Sequence, residues 1–419
     1  MFSLNKITIF IFSFMQLVNS QGLQNSFSIG GLNQMKGSQA LEHGVLPNFR
    51  YDISLNNSAT WPKLKFTQLS LKYKGIENSG DSKNIISDIS LAKLIIPFKD
   101  KNAIGVALEP YSDQTIILND SIYAYKIFFN DTIQSARNYL REGGLFSFQT
   151  GIGRIMNDKI SIGLNLNYVF GSSRNSESLV IDQISTIQKF RYRYSGIFFQ
   201  GYANFYLNNK AAFFFSMKRP LKNLRTIYEK YHLFEDINGN GFQDNYGDFP
   251  SLSDVKIPNQ LELDQVIHSP KEFIFGFEKK MKNKIILNAQ LSNYEDDGQL
   301  NKNYKNEIHP IIISSSTVSF GILKFPDQLS TLFRDKFIFR LGLDYRNANI
   351  SNGILMTEFG YSLGISYKFK ALSNQIDFIY FGGGRSYESN FNEETFQQLQ
   401  VGVTIADLWF VKRRQRRNE

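Results

Sequence analysis

The stretch Glu358–Phe369 reads EFGYSLGISYKF, and its residues alternate strictly in kind. An aromatic or aliphatic side chain stands at every second position, and Glu, Gly, Ser, Gly, Ser and Lys stand between them. Because successive side chains of a β-strand point to opposite faces, this period of two predicts a strand with one apolar and one polar face. Ile160–Phe170 and Lys336–Arg346 repeat the pattern.

The length of these segments favours a membrane barrel over a soluble sandwich. They run to about 10–14 residues, whereas sandwich strands have about 5–6 residues and a tilted membrane-spanning strand needs roughly 9–11. Their polar faces carry small and charged residues, which a wet lumen tolerates. We therefore predict an all-β fold, a transmembrane antiparallel β-barrel.

The composition agrees with this fold. Mean hydropathy is −0.27, yet the chain has 38 Phe and 21 Tyr, as strands with one lipid-facing side require. The chain has no cysteine, which excludes a disulfide framework and cysteine-ligated metal centres. The net charge of +9 comes without a basic helix or nucleic-acid motif, so we expect no nucleic-acid partner.

The alternation predicts about fourteen strands, and an even number places both chain ends on one side of the membrane, expected to be the periplasm. The predicted starts are Phe66, Ile86, Asn102, Gly144, Lys159, Tyr194, Lys210, Glu272, Lys284, Ser314, Lys336, Glu358, Asn374 and Gln397. The connections then alternate between short turns and long outer loops, the asymmetry typical of outer-membrane barrels. The long loops are predicted at Ser112–Gly143, Ser172–Arg193, Leu221–Lys271, Glu295–Ile313 and Tyr387–Phe396.

The first residues have the features of a secretory signal peptide. Lys6 precedes the apolar run Ile7–Val18, and Val18-Asn19-Ser20 resembles a cleavage site. The alternative, an inner-membrane anchor, needs about 20 apolar residues, more than this run has. The predicted division is a signal peptide at 1–20, an N-terminal segment at 21–65, the barrel at 66–411 and a basic periplasmic tail at 412–419.

The N-terminal segment 21–65 is rich in Gly, Asn and Ser and has no clean period. It is either a periplasmic tail or a plug inside the lumen. A barrel of this strand number encloses more space than wall side chains fill, which favours the plug.

Three stretches resemble the FadL-type family of outer-membrane hydrophobic-compound transporters. Ser54–Pro62 is similar to the family's Asn-Pro-Ala hatch motif, with Asn57, Ser58 and Ala59 at the motif positions and serine in place of proline. Ile104–Tyr111 resembles the third strand, where the family has a kink beside a lateral opening. The third stretch, from Ile376 to Lys412, resembles the last two strands.

The resemblance implies a fourteen-stranded barrel with an N-terminal hatch that admits apolar ligands passively. It assigns the hatch to Asn57, Ser58 and Ala59, and the strand kink to Gly105 and Pro110. The same superfamily has members that take part in protein secretion, so a partner-binding barrel without small-molecule transport is the alternative. The expected partners are outer-membrane lipid, a hydrophobic small molecule and, at the outer loops, a protein.

One strand offers a candidate ligand passage. Phe198, Tyr202 and Tyr206 lie on a single face of their predicted strand. If that face borders the lumen, the three rings line an apolar route. Other aromatic clusters are better explained by a membrane girdle and lumen packing.

A loop motif in Leu221–Lys271 is the one candidate metal site. Oxygen-bearing side chains recur at alternate positions as in the first part of a calcium loop, with Gly241 at the sixth position. The candidate ligands are Asp236, Asn238, Asn240 and Asp244. The twelfth position is Gly247 rather than glutamate, so a turn cluster without calcium is the alternative.

No enzymatic site is predicted. Gly360-Tyr361-Ser362-Leu363-Gly364 fits the hydrolase pattern G-x-S-x-G, but that motif requires a strand–turn–helix elbow, and here it lies inside an alternating strand. The four histidines, His43, His232, His268 and His309, fall outside the predicted strands and lack metal-pair spacing. We expect no catalysis and no cofactor, apart from the calcium considered above.

Overall fold

The computed structural model describes residues 31–32, 56–79, 83–98, 101–119, 126–128, 131–133, 135–181, 184–245, 247–251, 265–298, 312–326, 333–369, 374–388 and 393–407. The predicted signal peptide and the basic tail lie outside these residues, as does most of the segment 21–65. Within the described residues, no helix is long and apolar enough to cross a membrane.

Fourteen long strands form the wall of the molecule, and we number them in chain order. They are β1 Thr67–Ser79, β2 Lys83–Phe98, β3 Asn102–Asp113, β4 Ser135–Asn157, β5 Ile160–Ile181, β6 Ile184–Asn208, β7 Ala211–Asp236, β8 Pro270–Lys280, β9 Ile285–Asp296, β10 Ile312–Lys324, β11 Phe337–Ile350, β12 Ile354–Phe369, β13 Asn374–Tyr387 and β14 Glu394–Asp407.

The wall closes on itself. Each strand pairs antiparallel with the next, and β14 pairs with β1 from Thr395–Ser79 to Asp407–Thr67. Closure leaves no sheet edge, and every strand has neighbours for its backbone groups, as a chain in lipid requires. The predicted fourteen-stranded barrel is confirmed. The chain enters β1 and leaves β14 at the same end, where the turns 158–159 and 209–210 and the pair Phe98–Asn102 also lie; we call this the turn end.

Side-chain exposure identifies the barrel's surroundings. In β11, Phe339, Leu341 and Leu343 are 43–50% exposed, while Arg340 and Arg346, each 4% exposed, point into the lumen. Apolar side chains outside and charged side chains inside are the reverse of a soluble protein. The arrangement is that of a barrel whose outer face contacts lipid and whose lumen is polar.

Four neighbouring strands are much longer than the rest. β4, β5, β6 and β7 have 23, 22, 25 and 26 residues. They continue past the other strands at the end opposite the turn end. We call this extension the crest; it comprises residues 135–143, 171–181, 184–195 and 219–236. Eleven residues of β5 span about 35 Å there, at about 3.3 Å per residue.

The crest corrects part of the sequence prediction. Ser172–Arg193 is not a long loop, because β5 continues to Ile181 and β6 starts at Ile184. Leu221–Lys271 likewise contains the end of β7 and the short strand Gln265–His268, so His232 and His268 lie in strands. The strand length of about 10–14 residues was wrong here because the crest stands beyond the lipid band, where the outward face carries charged residues such as Arg191 and Arg193.

Two short strands fill space beside the wall. Ile116–Asn119 pairs with β4, inside the predicted loop Ser112–Gly143. Gly31–Leu32 pairs with Asp113 and Ser112 of β3. A third pair, Lys126–Phe128 with Asp131–Ile133, forms a separate hairpin.

Candidate functional site: the lumen and its lateral gap

A short 3-10 helix, Ser58–Lys63, lies inside the barrel near the turn end. Asn57 caps it, because its side-chain oxygen accepts a hydrogen bond from the Ala59 backbone N–H at 3.1 Å. Residues 58–62 are buried, and Trp61 is 1% exposed. The three predicted hatch residues therefore lie in the lumen, and their role as a hatch stays a prediction.

Four wall glycines form the surface under this helix; we call them the glycine floor. Gly105 of β3 faces Gly151 of β4, and Gly153 of β4 faces Gly163 of β5. A Cβ at any of the four would come within 2.1–2.7 Å of the helix segment, an impossible contact: Gly153 with the Ser58 carbonyl oxygen, Gly163 with the Ala59 nitrogen, Gly105 and Gly151 with the Trp61 ring. Glycine is thus required at 153 and 163 for the close approach of two backbones, and at 105 and 151 to make room for the Trp61 ring.

Polar contacts fix the same segment from other sides. The Asn57 amide donates to the Asn204 side-chain oxygen of β6 at 2.9 Å, and Lys93 of β2 donates to Asn56 at 2.8 Å. The Lys63 ammonium lies 3.1 Å from the centre of the Tyr206 ring. Burial lowers the pKa of Lys63 to about 7, and nearby Glu278 opposes this shift.

A cavity of about 840 Å³ opens at the turn end beneath the helix. It is the size of a small-molecule site and is lined by both apolar and polar groups. Its lining residues include Pro62, Leu64, Phe66, Phe98, Ile155 and Tyr206.

An apolar cluster occupies the lumen farther from the turn end. We call it the upper chamber; its members are Tyr111, Leu145, Val169, Phe190, Tyr192, Tyr194, Phe198, Leu224 and Ile267. Leu32 packs against this cluster and also against a second one, on the far wall, that includes Ile350 and Met356. Leu32 therefore bridges the two clusters across the lumen at this level.

A buried polar network adjoins the upper chamber. The His268 Nε2 lies 2.6 Å from the Tyr111 hydroxyl, and its Nδ1 lies 2.5 Å from an Asp296 carboxylate oxygen. The other Asp296 oxygen accepts hydrogen bonds from the backbone N–H groups of Ser269 and Gly298. The network links β3, the strand Gln265–His268 and the end of β9 across the lumen, so it holds these elements in one arrangement.

The wall has a gap between β2 and β3. Their pairing runs from Phe98–Asn102 to Ala92–Leu108 and ends there, while β3 continues to Asp113. Each strand has an extra residue just beyond this point: Ser90 in β2, in the register with β1, and Tyr111 in β3, in the register with β4. Such bulges bend a strand, so the two strands diverge at the level of the upper chamber.

The opposite wall of the lumen is charged. The Arg385 side chain contacts Glu358 at 2.5 Å and Glu394 at 3.4 Å, and Glu358 also contacts Arg346 at 3.4 Å. Arg340 and Asp377 form a further pair at 3.4 Å. All six side chains are at most 5% exposed. The lumen is therefore two-sided, with aromatic and glycine residues on β3–β7 and ion pairs on β11–β14.

The residues predicted for the kink and the passage all lie in the wall. Gly105 contributes to the glycine floor rather than to a bend, and Pro110 directly precedes the bulge at Tyr111. Phe198, Tyr202 and Tyr206 point into the lumen and are at most 7% exposed. Phe198 belongs to the upper chamber and Tyr206 lies under Lys63, so the three are spread along the lumen.

The predicted calcium loop is folded against the outer face of the crest. The Asp236 carboxylate accepts hydrogen bonds from the Asn240 and Gly241 N–H groups, and the Asn238 and Asn240 amides donate to Asp244. Over the described part of the chain, no three His, Asp or Glu side chains are placed to hold a metal ion. The loop's internal hydrogen bonds match the turn alternative, and calcium binding stays a prediction.

The hydrolase-like motif has no elbow. Ser362 is 2% exposed in the middle of β12, which is regular from Ile354 to Phe369. Its lumen-facing position agrees with the alternation of the sequence.

Sequence reasoning missed three parts of the site. The His268 network lies in a region without a period, and its partners are distant in sequence. The charged residues of β11–β14 were visible in the sequence at lumen positions of successive strands. Which of them form ion pairs depends on the strand register, which the sequence does not give. The glycine floor was visible as Gly151 and Gly153 on the polar face of one strand, which signals a close neighbour.

Together, the closed wall, the lipid-facing apolar band and the occupied lumen define an outer-membrane β-barrel, and its fold is similar to that of FadL-type proteins. A FadL homologue from Pseudomonas aeruginosa superposes with a TM-score of 0.56 at 13% identity, covering 88% of this chain and 98% of the homologue. The toluene transporter TodX from Pseudomonas putida gives a TM-score of 0.50 at 10% identity, covering 94% and 99%. At these identities the likeness concerns the fold. No curated protein matches the chain.

The sequence profile of the BamG family matches residues 3–415. The chain belongs to the BamG family.

Proposed function

We propose that this barrel admits a hydrophobic small molecule, such as a long-chain fatty acid or a hydrocarbon, by passive diffusion. The ligand enters from the crest end, occupies the upper chamber and leaves sideways between β2 and β3. Both chain ends face the periplasm. Similar folds belong to a FadL homologue and a toluene transporter, which is in line with this proposal.

The observation that carries the proposal is the coincidence of the gap with the upper chamber. The bulge at Tyr111, in the register of β3 with β4 and just beyond the last β2–β3 pair, brings Tyr111 into the chamber, where its ring centre lies 5.7 Å from that of Phe198. An apolar pocket that opens through the wall at lipid depth offers an apolar ligand a route that avoids water. In the present structure Leu32 packs in the chamber, so passage requires the N-terminal segment to move.

Uptake of a fatty acid or an alkane into proteoliposomes tests the proposal. Oxidation of L91C/E109C, just beyond the last β2–β3 pair, should tie the gap shut and abolish uptake, and a reductant should restore it. The control is L94C/V106C, in the regularly paired region, whose oxidation should leave uptake unchanged. The parent chain has no cysteine to interfere. If the wild type shows no uptake, the transport proposal fails.

The crest supports a second candidate, a barrel that binds a protein partner. Four strands extend beyond the lipid band, which passage of a small molecule does not require, and the loop 237–250 packs on them through the Glu235–Phe249 bridge. A rigid β platform at this end suits a protein contact. Affinity capture from membranes, with and without calcium, tests it. A stable partner captured through the crest by a protein without uptake activity would favour this candidate.

A further inference from the structure

Tyr111 lies where β3 has left its regular pairing with β2. The last β2–β3 pair is Ala92 with Leu108, and in an unbroken register Ile89 would lie opposite Tyr111. Instead, the Tyr111 side chain is buried among the residues of the upper chamber. The gap therefore exists because β3 turns towards the lumen at this point.

Closing the gap would stabilise the backbone of both strands. Ile89 of β2 lies opposite Tyr73 of β1, and both side chains are exposed on the outer face, so the wall is apolar at this height. Backbone N–H and C=O groups at lipid depth have no water to pair with. Pro110 lacks an N–H, which weakens pairing at one position but does not hold two strands apart. The open gap therefore requires an interaction that keeps Tyr111 in the lumen.

A buried histidine and a buried carboxylate provide this interaction. The His268 ring lies between the Tyr111 hydroxyl, 2.6 Å from Nε2, and an Asp296 oxygen, 2.5 Å from Nδ1. The other Asp296 oxygen accepts hydrogen bonds from two backbone N–H groups, which favours the ionised carboxylate. An ionised carboxylate only accepts, so Nδ1 of the neutral ring donates to Asp296 and Nε2 accepts from the Tyr111 hydroxyl.

The wall fixes the position of this pair. His268 is the last residue of a short strand that pairs with β7. Asp296 is the last residue of β9 and lies opposite Pro270, the first residue of β8. The Phe198 and His268 ring centres lie 5.7 Å and 5.8 Å from that of Tyr111. Tyr111 is therefore held by elements on the β6–β9 side of the lumen and not by β2.

We propose that His268 and Asp296 hold the lateral gap open by anchoring Tyr111 in the lumen. Neither residue lines the gap, and both act on it through Tyr111, so they are positioning residues. Without the hydrogen bond to His268, β3 returns to the wall and pairs with β2. The use of the gap by a ligand rests on the proposed function, whereas the anchoring of β3 does not.

The N-terminal strand limits how far this closure extends. Gly31–Leu32 already pairs with Asp113 and Ser112 of β3. These are the positions that β2 would occupy if its pairing continued past Tyr111. Closure after loss of the anchor is therefore confined to Glu109–Tyr111.

The rate of disulfide formation in L91C/E109C, measured in membranes with a permeant oxidant, reports closure of the gap. These positions form the first new pair of the continued register, and the chain has no other cysteine. The disulfide should form more slowly than in L94C/V106C, whose positions are already paired. Adding Y111F, which removes only the hydroxyl, or H268L should accelerate it on the order of tenfold, equivalent to about 1.4 kcal/mol. The L94C/V106C rate should not change in either background, as it would if the whole barrel were loosened.

Y194F is the matched control. It removes a hydroxyl from the same chamber, one that lies 2.8 Å from the Ser173 hydroxyl, and should leave the L91C/E109C rate unchanged. Y111F keeps the test decisive if H268L does not fold. Equal L91C/E109C rates with Y111F and Y194F, or a slower rate with Y111F, would overturn the proposal. A faster rate with unchanged fatty-acid uptake would support the anchor and count against the gap as the exit of the proposed function.

Discussion

Glycines in the wall determine how closely the N-terminal helix lies against it. Gly153 and Gly163 face backbone atoms of Ser58 and Ala59, which do not yield as a flexible side chain would. A single methyl group at either position must push the helix inward. The close approach of the helix therefore requires glycine at these positions, and strand propensity does not explain it.

Gly163→Ala should therefore loosen the helix and destabilise its docking by about 1–3 kcal/mol, the usual cost of overpacking. Trp61 reports this, since it and Trp409 are the two tryptophans and Trp409→Phe leaves one signal. Emission of Trp61 should shift to longer wavelength and acrylamide quenching should increase. Gly75→Ala is the control, because a Cβ there meets nothing within 4 Å. Equal quenching in the two variants would argue against the glycine floor.

The charge of Glu358 contributes to the stability of the barrel. This buried carboxylate contacts both Arg346 and Arg385. Glu358→Gln should lower the free energy of unfolding by about 3–5 kcal/mol, because the buried guanidinium groups of Arg346 and Arg385 both lose a carboxylate partner, with Glu394 left beside Arg385. Urea unfolding measures this. Glu177→Gln, which breaks the exposed pair with Arg137, should cost at most about 1 kcal/mol. A small effect of Glu358→Gln would mean that water reaches the ion pairs of Arg346 and Arg385.

At the scale of elements, the helix Ser58–Lys63 should dock more tightly as pH rises. The pKa of Lys63 is about 7 when docked and 10.5 in water, so between these values the undocked form binds more protons. Linkage then makes docking more favourable from about pH 7 towards pH 10.5, and little changes below pH 7. Quenching of Trp61 should be weaker at pH 9 than at pH 6. Lys63→Met should remove most of this dependence; an unchanged profile would assign it to another group.

Strands in the lipid band could be predicted from sequence, and those of the crest could not. Lipid outside and water inside enforce the alternation seen in Glu358–Phe369, and starts such as Asn102 and Asn374 match the structure. Above the band the apolar side chains of β6 face inward and its outward face is charged, so the start of β6 was placed ten residues late, at Tyr194 instead of Ile184. The site follows the same rule: lumen-facing residues such as Phe198 were identified, but the contact of His268 with Asp296 needs three-dimensional register.

At the scale of the whole molecule, the outermost part of the crest is separable from the lumen. The upper parts of β5 and β6 pair with each other from Ile181–Ile184 down to Asn175–Phe190, and no chamber residue lies between those two pairs. The barrel below is closed by its own fourteen pairings. The outermost part of the crest can therefore be removed without removing a residue of the upper chamber.

Replacing residues 176–189 with an Asn-Gly turn exploits this separation. Asn175 and Phe190 are already opposite each other, and Asn-Gly suits a two-residue hairpin. The shortened protein should keep the heat-modifiable electrophoretic mobility of a folded barrel. The crest residues of β4 and β7 should fray, because they lose their pairing partners. It should also keep fatty-acid uptake if the lumen is the functional part, and lose partner capture if the crest is. A variant that folds but loses uptake would show that the crest takes part in ligand entry. The proposed route would then require the crest strands as well as the opening at the crest end of the barrel.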